Sequence, residues 1–344
     1  MQRVPSFQKN MSEPIKAIAM VSSGLDSMLA ARIMRDQGIE VLGLHCLFRL
    51  DPTQPEDIAA RVRSRLETTG APVRVDDITE PFFRMLLDPP HGYGKGVNPC
   101  IDCKIFMFRH AKKLMEQTGA RFLITGEVVG QRPMSQHKPT LFHIEKESGL
   151  QQRIVRPLSA RILPQTLPEE KGWIRRDRLY GISGRNRKEQ MALAESFGIH
   201  TYPQPAGGCI LTDPAYAKRA EALMQRRGKS RLTPQDFNLL RLGRHFWTDS
   251  GMHVIAGRHE ADNAFLESFR GGRWTFEPSD VTGPLVLAED VRTEEDIHLA
   301  AAIAARYCSK RKGRRFRIQY RNRDRSGVFE TEPAADDDIR RWRV

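Results

Sequence analysis

Between residues 15 and 125 the chain alternates short apolar runs with longer stretches of helical periodicity, a pattern few folds accept. Ile15 to Val21 is apolar enough for a buried strand, and Val41–Leu47, Val73–Val75 and Phe122–Thr125 repeat the theme. Between them, Met28–Gln37 stops at Gly38, Pro55–Thr69 ends near Gly70, and Ile101–Thr118 is closed by Gly119. Each of these has the marks of a helix. Strands joined through helices pair in parallel, so the sequence predicts an α/β fold with a doubly wound parallel sheet. Ligands of such sheets bind at the carboxyl ends of the strands. Ser22–Ser27 and Gly126–Glu127 both follow strands and are expected on that edge.

The chain continues well past this sheet, to 344 residues, which is room for two domains. The stretch from Arg156 to Pro205 is rich in Pro and Arg and less regular, with one helix near Lys188–Phe197. A boundary is expected near Asp213–Pro214. Beyond it the pattern gives helices at Ala215–Arg226 and Pro234–Leu242, a strand at His253–Ala256 and a helix near Ala261–Phe269. Strands at Trp274–Phe276 and Leu285–Leu287 follow, then a helix at Glu294–Tyr307 and strands near Phe316–Tyr320 and Val328–Thr331. The reading is of four segments: a disordered extension at 1–14, a first domain at 15–213, a smaller basic α/β module at 214–335, and a solvated acidic tail at 336–344. No apolar run approaches the roughly 20 residues of a membrane span. Met1–Lys16 lacks the apolar stretch of a signal peptide, and Met11 reads as a natural start. The five cysteines, Cys46, Cys100, Cys103, Cys209 and Cys308, are too sparse for a disulfide framework, so a reduced, cytoplasmic setting is expected.

The turn Ser22-Ser23-Gly24-Leu25-Asp26-Ser27 puts hydroxyls and free backbone N–H groups at a helix start. Such a turn either caps the helix or cradles phosphate. It has no Lys after the glycine and is not a Walker A loop. The turn resembles the SGGxDS signature of the PP-loop pyrophosphatases, with Ser23 in place of the first glycine. Asn98-Pro99-Cys100-Ile101-Asp102-Cys103-Lys104, the run Thr125–Gln136, Arg156-Pro157-Leu158 and Pro205–Cys209 extend the likeness. Together, over residues 15–212, they resemble the tRNA thiolation branch, the 4-thiouridine synthetases and 2-thiouridylase-like proteins. The resemblance implies ATP bound at Ser22–Ser27 and cleaved to AMP and pyrophosphate, with Mg²⁺ positioned by Asp26. It implies a nucleotide-side loop at Gly126 and Glu127, with Gln131, Ser135 and Gln136 as polar contacts or as loop braces. The expected reaction adenylates a uridine carbonyl and replaces its oxygen with sulfur, giving 4-thiouridine or 2-thiouridine. Two other classes stand beside it: a PP-loop enzyme adenylating a non-tRNA substrate, and a non-catalytic RNA-binding protein with a relic nucleotide fold.

Cys100 and Cys103 head a helix, where the dipole favours thiolates. Alone the pair fits zinc, redox chemistry or packing, but no second CxxC completes a zinc set. With Cys209 there are three thiols, which suit a [4Fe–4S] cluster with one open iron for an incoming sulfide. The resemblance implies that arrangement, since some thiolation enzymes with a cysteine triad work this way. The competing route is cluster-free: Cys209 carries a persulfide, and Cys103 or Cys100 resolves it as a disulfide, but a CxxC plus one distant Cys is one thiol more than that cycle needs, which favours the cluster. The sulfur donor is free sulfide or a persulfide carrier. Cys46 in a strand and Cys308 in a helix read as packing residues.

The net charge of +13 favours a polyanionic partner if the cations cluster, and they do. Ten Lys/Arg and one acid lie between Arg306 and Arg325. Arg306, Lys310, Arg311, Lys312, Arg314, Arg315, Arg317 and Arg321 are the expected tRNA contacts. Tyr307, Phe316 and Tyr320, interleaved with them, either stack on bases or fill a strand's core face. Arg175, Arg176, Arg178, Arg185, Arg187 and Lys188 extend the basic track. Gly243–Phe246 and Ile255–Asn263 resemble the RNA-binding domain of ribosome quality-control factors.

Overall fold

The structure is a computed structural model, and it describes residues 14–22, 24–49, 55–67, 69–203, 208–309 and 315–344. The expected extension, but for its last residue, lies outside these, as do Ser23, Pro205–Gly207 and the basic residues Lys310, Arg311, Lys312 and Arg314. The chain divides into two compact units: residues up to Gly94 with Asn98–Gly208, and Lys95–Val97 with Cys209–Val344.

The first unit runs β1 (Lys16–Met20), α1 (Leu25–Arg35), β2 (Glu40–Leu47), α2 (Pro55–Glu67), β3 (Val73–Asp77), α3 (Thr79–Leu87), α4 (Cys100–Thr118), β4 (Phe122–Thr125), α5 (Lys138–Ser148), β5 (Ile154–Val155), α6 (Leu167–Glu170) and α7 (Lys188–Ser196). Its five strands are all parallel, in the order β3-β2-β1-β4-β5. The period of two along β1 divides the core between the two faces. Ala17 and Ala19 join Met28, Leu29 and Ile33 of α1 on one face, and Ile18 joins Ile105, Phe108 and Ala111 of α4 on the other. Chain order reverses between β1 and β4, so their carboxyl ends flank the crevice where such sheets bind ligands.

The second unit holds α8 (Pro214–Arg227), α9 (Pro234–Leu239), β6 (Arg244–Trp247), β7 (His253–Ala256), α10 (Glu260–Glu267), β8 (Trp274–Pro278), β9 (Val286–Glu289), α11 (Glu294–Arg306), β10 (Phe316–Arg321), β11 (Ser326–Thr331) and α12 (Asp336–Trp342). Its six strands pair antiparallel in the order β11-β10-β8-β9-β7-β6. The Ala-rich face of α11 (Ala300, Ala301, Ala304) packs on Phe246, Val254, Phe276, Val286 and Ile318.

Several expectations need correcting. α3, α5, β5 and β6 were not legible as elements. Pro81 and Pro139 each sit in the first turn of a helix, where the missing N–H costs nothing, and they masked α3 and α5. The helix from Pro55 ends at Glu67, that from Pro234 ends at Leu239, and Cys308 lies just past α11 rather than within it. The segment 336–344 is not a free tail. Its acidic residues do face solvent, but they open α12, whose Ile339 and Trp342 are buried in the core under α11.

Candidate nucleotide and sulfur-handling site

β1 delivers the chain into the turn, where Ser27 closes it. Ser27 Oγ accepts from Ser22 N at 3.2 Å and donates to Gly24 O at 2.8 Å. Gly24 O also takes the N–H groups of Ser27 and Met28 at 3.1 and 3.2 Å. Gly24 is the N-cap of α1, and no side chain caps that helix start. Its first N–H groups are therefore available to an anion. Ser22 is exposed, Leu25 is buried under the turn, and Asp26 is half-buried.

Gly126 is what joins the two loops of the crevice. A Cβ there would lie 2.5–2.6 Å from the backbone of Asp26 and Ser27, so no residue with a side chain fits. From the same loop, Gln131 Nε2 donates to Asp26 Oδ2 at 2.7 Å. Asp26 Oδ1 is buried with no partner among the described residues.

Glu127, expected on the nucleotide-side loop, lies in a buried ion cluster. It is 2% exposed, with Arg156 Nε at 3.0 Å, Lys104 Nζ at 3.3 Å and Thr125 Oγ1 at 3.2 Å. Burial alone would raise its pKa; Lys104 and Arg156 outweigh that and hold it below the usual value. Arg156 also pairs with Glu145 of α5. This buried ion cluster ties α4, α5 and the loop after β4 together, and none of Lys104, Glu145 or Arg156 was singled out in the sequence as an ion-pair partner. A buried carboxylate requires such partners, but which ones it finds is set by the fold. Gln136 is a loop brace: its Oε1 accepts from Arg132 N at 3.1 Å. Ser135 is fully buried.

Cys100 and Cys103 stand one turn apart at the uncapped start of α4, both partly exposed. Between them Asp102 is buried and accepts from His91 N at 2.9 Å and His91 Nδ1 at 2.7 Å. Cys46, at the end of β2, is pushed up to about 12 by burial, with Asp76 and Cys103 adding to the shift, and is an inert thiol. Cys209 is exposed and belongs to the second unit. Among the described residues no group of three or more His, Cys, Asp or Glu side chains is placed to hold a metal ion.

In the second unit β10 alternates strictly. Phe316, Ile318 and Tyr320 are buried, while Arg317, Gln319 and Arg321 face solvent. The base-stacking reading of Phe316 and Tyr320 is thereby overturned: both are core residues. Arg315 is exposed, 3.7 Å from Glu332. Arg306 is less available than expected, because it pairs with Asp336 of α12. Of the other basic residues, Arg175 pairs with Asp177 and Arg176 with Glu169, each at 2.6 Å, whereas Arg178, Arg185 and Lys188 are exposed and Arg187 is half-buried.

Residues 14–161 match the family profile described as thiamine biosynthesis protein (ThiI), and residues 243–343 match the NFACT protein RNA binding domain. The first stretch is thus similar to a ThiI-type domain and the last to an NFACT-type RNA-binding domain. Among curated relatives, a tRNA-specific 2-thiouridylase MnmA of Sulfurimonas denitrificans is 30% identical over 118 residues, covering 33% of this chain and 35% of the relative. One from Magnetococcus marinus is 25% identical over 234 residues, 62% of each. A "Probable tRNA sulfurtransferase" of Thermococcus kodakarensis is 26% identical over 145 residues, 42% of this chain and 36% of the relative. The first relatives are matched over about a third of their length. A solved structure titled as a 4-thiouridine synthetase–RNA complex with bound ATP overlays at a TM-score of 0.41 and 21% identity, over 65% of this chain and 52% of that one. The stretch that matches the ThiI profile holds β1 to β5 and the turn from Ser22 to Ser27. Among the described residues no helix is long and apolar enough to cross a membrane.

Proposed function

We propose that this protein is an ATP-dependent tRNA sulfurtransferase, which adenylates a uridine carbonyl and replaces its oxygen with sulfur. The observation that carries the reading is the packing of Gly126 on the backbone of Asp26 and Ser27, which makes one crevice of the two loops at the sheet's switch point. The uncapped N–H groups of α1 and the Ser22 hydroxyl bind the triphosphate. Asp26 Oδ1, buried and unpartnered among the described residues, fits a divalent cation. Bound there, Mg²⁺ would screen the pyrophosphate as it leaves. The uridine oxygen attacks the α-phosphate, pyrophosphate departs, and sulfur then displaces AMP from the adenylated carbon. The chain itself contributes position and charge to these steps.

Sulfur handling is assigned to Cys100, Cys103 and Cys209, as ligands of a [4Fe–4S] cluster or as carriers of a persulfide. α4 brings two of these thiols together, and two do not make a cluster site, so no step is routed through iron. Protein purified without oxygen and assayed for iron, acid-labile sulfide and thiolation decides between the routes. Iron that is lost on replacing any one of the three cysteines supports the cluster, and thiolation without iron supports the persulfide.

The NFACT-type domain is assigned to hold the tRNA, through Arg315, Arg317 and Arg321 together with Lys310, Arg311, Lys312 and Arg314. The reading places the protein in the cytoplasm, with its substrate. Its test is pyrophosphate release with and without tRNA. Release that depends on tRNA supports the assignment; release with a small-molecule acceptor alone, or no release, contradicts it.

A further inference from the structure

α7 packs against α1 and carries Gln190, a fully buried residue, to the phosphate turn. Gln190 Nε2 donates to Gln131 Oε1 at 3.2 Å, and Gln131 Nε2 donates to Asp26 Oδ2 at 2.7 Å. The direction of this chain is forced from its end. A carboxylate only accepts, so Gln131 must turn its NH₂ to Asp26 and its carbonyl to Gln190, and Gln190 must answer with its own NH₂. Amide orientation is otherwise two-fold ambiguous. Here Asp26 removes the ambiguity, and Gln190 anchors Gln131 by donating to its carbonyl. The outcome is that Asp26 Oδ2 is occupied and Oδ1 alone remains, buried and without a partner among the described residues.

Packing does not explain Gln190. Its own Oε1 is also buried without a partner among the described residues, and an unsatisfied buried carbonyl costs stability that a leucine would not. We propose that Gln190 is a positioning residue: through Gln131 it makes Asp26 present a single fixed oxygen, Oδ1, to the divalent cation of bound ATP. This rests on the nucleotide reading of the phosphate turn. It resembles the way hydrogen-bonded partners orient metal ligands elsewhere, where their loss costs about 10–100-fold in metal affinity.

Two substitutions separate this role from packing. Gln190→Leu fills the space but frees Gln131. Gln190→Glu goes further: the introduced carboxylate can only accept, so Gln131 swings its NH₂ towards it and turns its carbonyl against Asp26. The measurement is Mn²⁺ binding to the full-length protein with a non-hydrolysable ATP analogue, read by electron paramagnetic resonance, alongside the thermal midpoint. Gln190→Leu is expected to keep or raise the midpoint and to weaken Mn²⁺ binding about tenfold, and Gln190→Glu to weaken it more. Should Gln190→Leu not fold, Gln190→Met carries the same expectation. Folded variants with wild-type Mn²⁺ affinity overturn the positioning role. A wild-type protein that binds neither the analogue nor Mn²⁺ overturns the nucleotide reading beneath it, and Asp26→Ala, which should lose the cation, is the control that tells the two apart.

Discussion

Gly126 states the site's geometry in one residue. Its missing side chain lets the loop after β4 touch the backbone of Asp26 and Ser27. Gly126→Ala must push the two loops apart, and overpacking of this kind costs roughly 1–3 kcal/mol. The expected result is a folded protein, destabilised by that amount, with pyrophosphate release reduced at least tenfold; a wild-type rate would show that the loops need not meet. Ser27 Oγ closes the turn through Ser22 N and Gly24 O, and Asp26 Oδ1 is the oxygen that the proposed function assigns to a divalent cation. Asp26→Ala and Ser27→Ala are each expected to abolish pyrophosphate release while the far-ultraviolet circular dichroism stays unchanged. Normal rates in both would remove the turn from the nucleotide site.

Among the elements, α4 is tied down at its start. Lys104 and Arg156 fix its first turns to the loop through Glu127, and Asp102 fixes it to His91. Arg156→Met leaves Glu145 without its buried partner and takes from Glu127 one of its two cations, Lys104 remaining. Breaking a buried pair in this way typically costs about 3–5 kcal/mol, to be read as a drop in the denaturant midpoint; a change under about 1 kcal/mol would mean the cluster is not structural. The elements were legible in the sequence where periodicity was strong: β1, β2, β4, α1 and α4 lie close to their expected places. The alternation of Phe316, Ile318 and Tyr320 placed β10, although it took the structure to show that the aromatics face the core. Pro81 and Pro139 hid α3 and α5, and the two-residue β5 carries too little pattern to see. The turn after β1 was legible as a strand-to-helix turn because its Ser, Gly and Asp residues mark one. The Lys104–Glu127–Arg156–Glu145 cluster and Gln190 were not, because their partners lie far away in sequence and meet only in the folded sheet.

Across the whole molecule, buried titrating groups make stability depend on pH in one direction. Glu127 is buried and Glu289 half-buried; desolvation would raise both, but their hydrogen-bonded and cationic neighbours prevail and hold both below the ordinary 4.5. Their contribution is complete above pH 4.5 and is lost as pH falls through the lower folded values. His245 and His253 are kept below the ordinary 6.5, chiefly by burial. The unfolded chain therefore takes up protons below 6.5 that the fold refuses, and stability falls there too. The thermal midpoint is expected to drop steadily from about pH 6.5 downwards, and His253→Gln to flatten the upper part of that curve; a midpoint rising on acidification would contradict the assignment. At the same scale, replacing Arg315, Arg317 and Arg321 by Gln should weaken tRNA binding and lower the slope of log affinity against log salt, by about one for each phosphate no longer neutralised. An unchanged slope would take these residues out of the interface. The account as a whole stands on thiolation of tRNA, and nucleoside mass spectrometry of tRNA from a deletion strain tests that most directly. One thiolated uridine should disappear, returning with the wild-type gene and not with Asp26→Ala; a full set of thiolated nucleosides in the deletion strain would contradict the account.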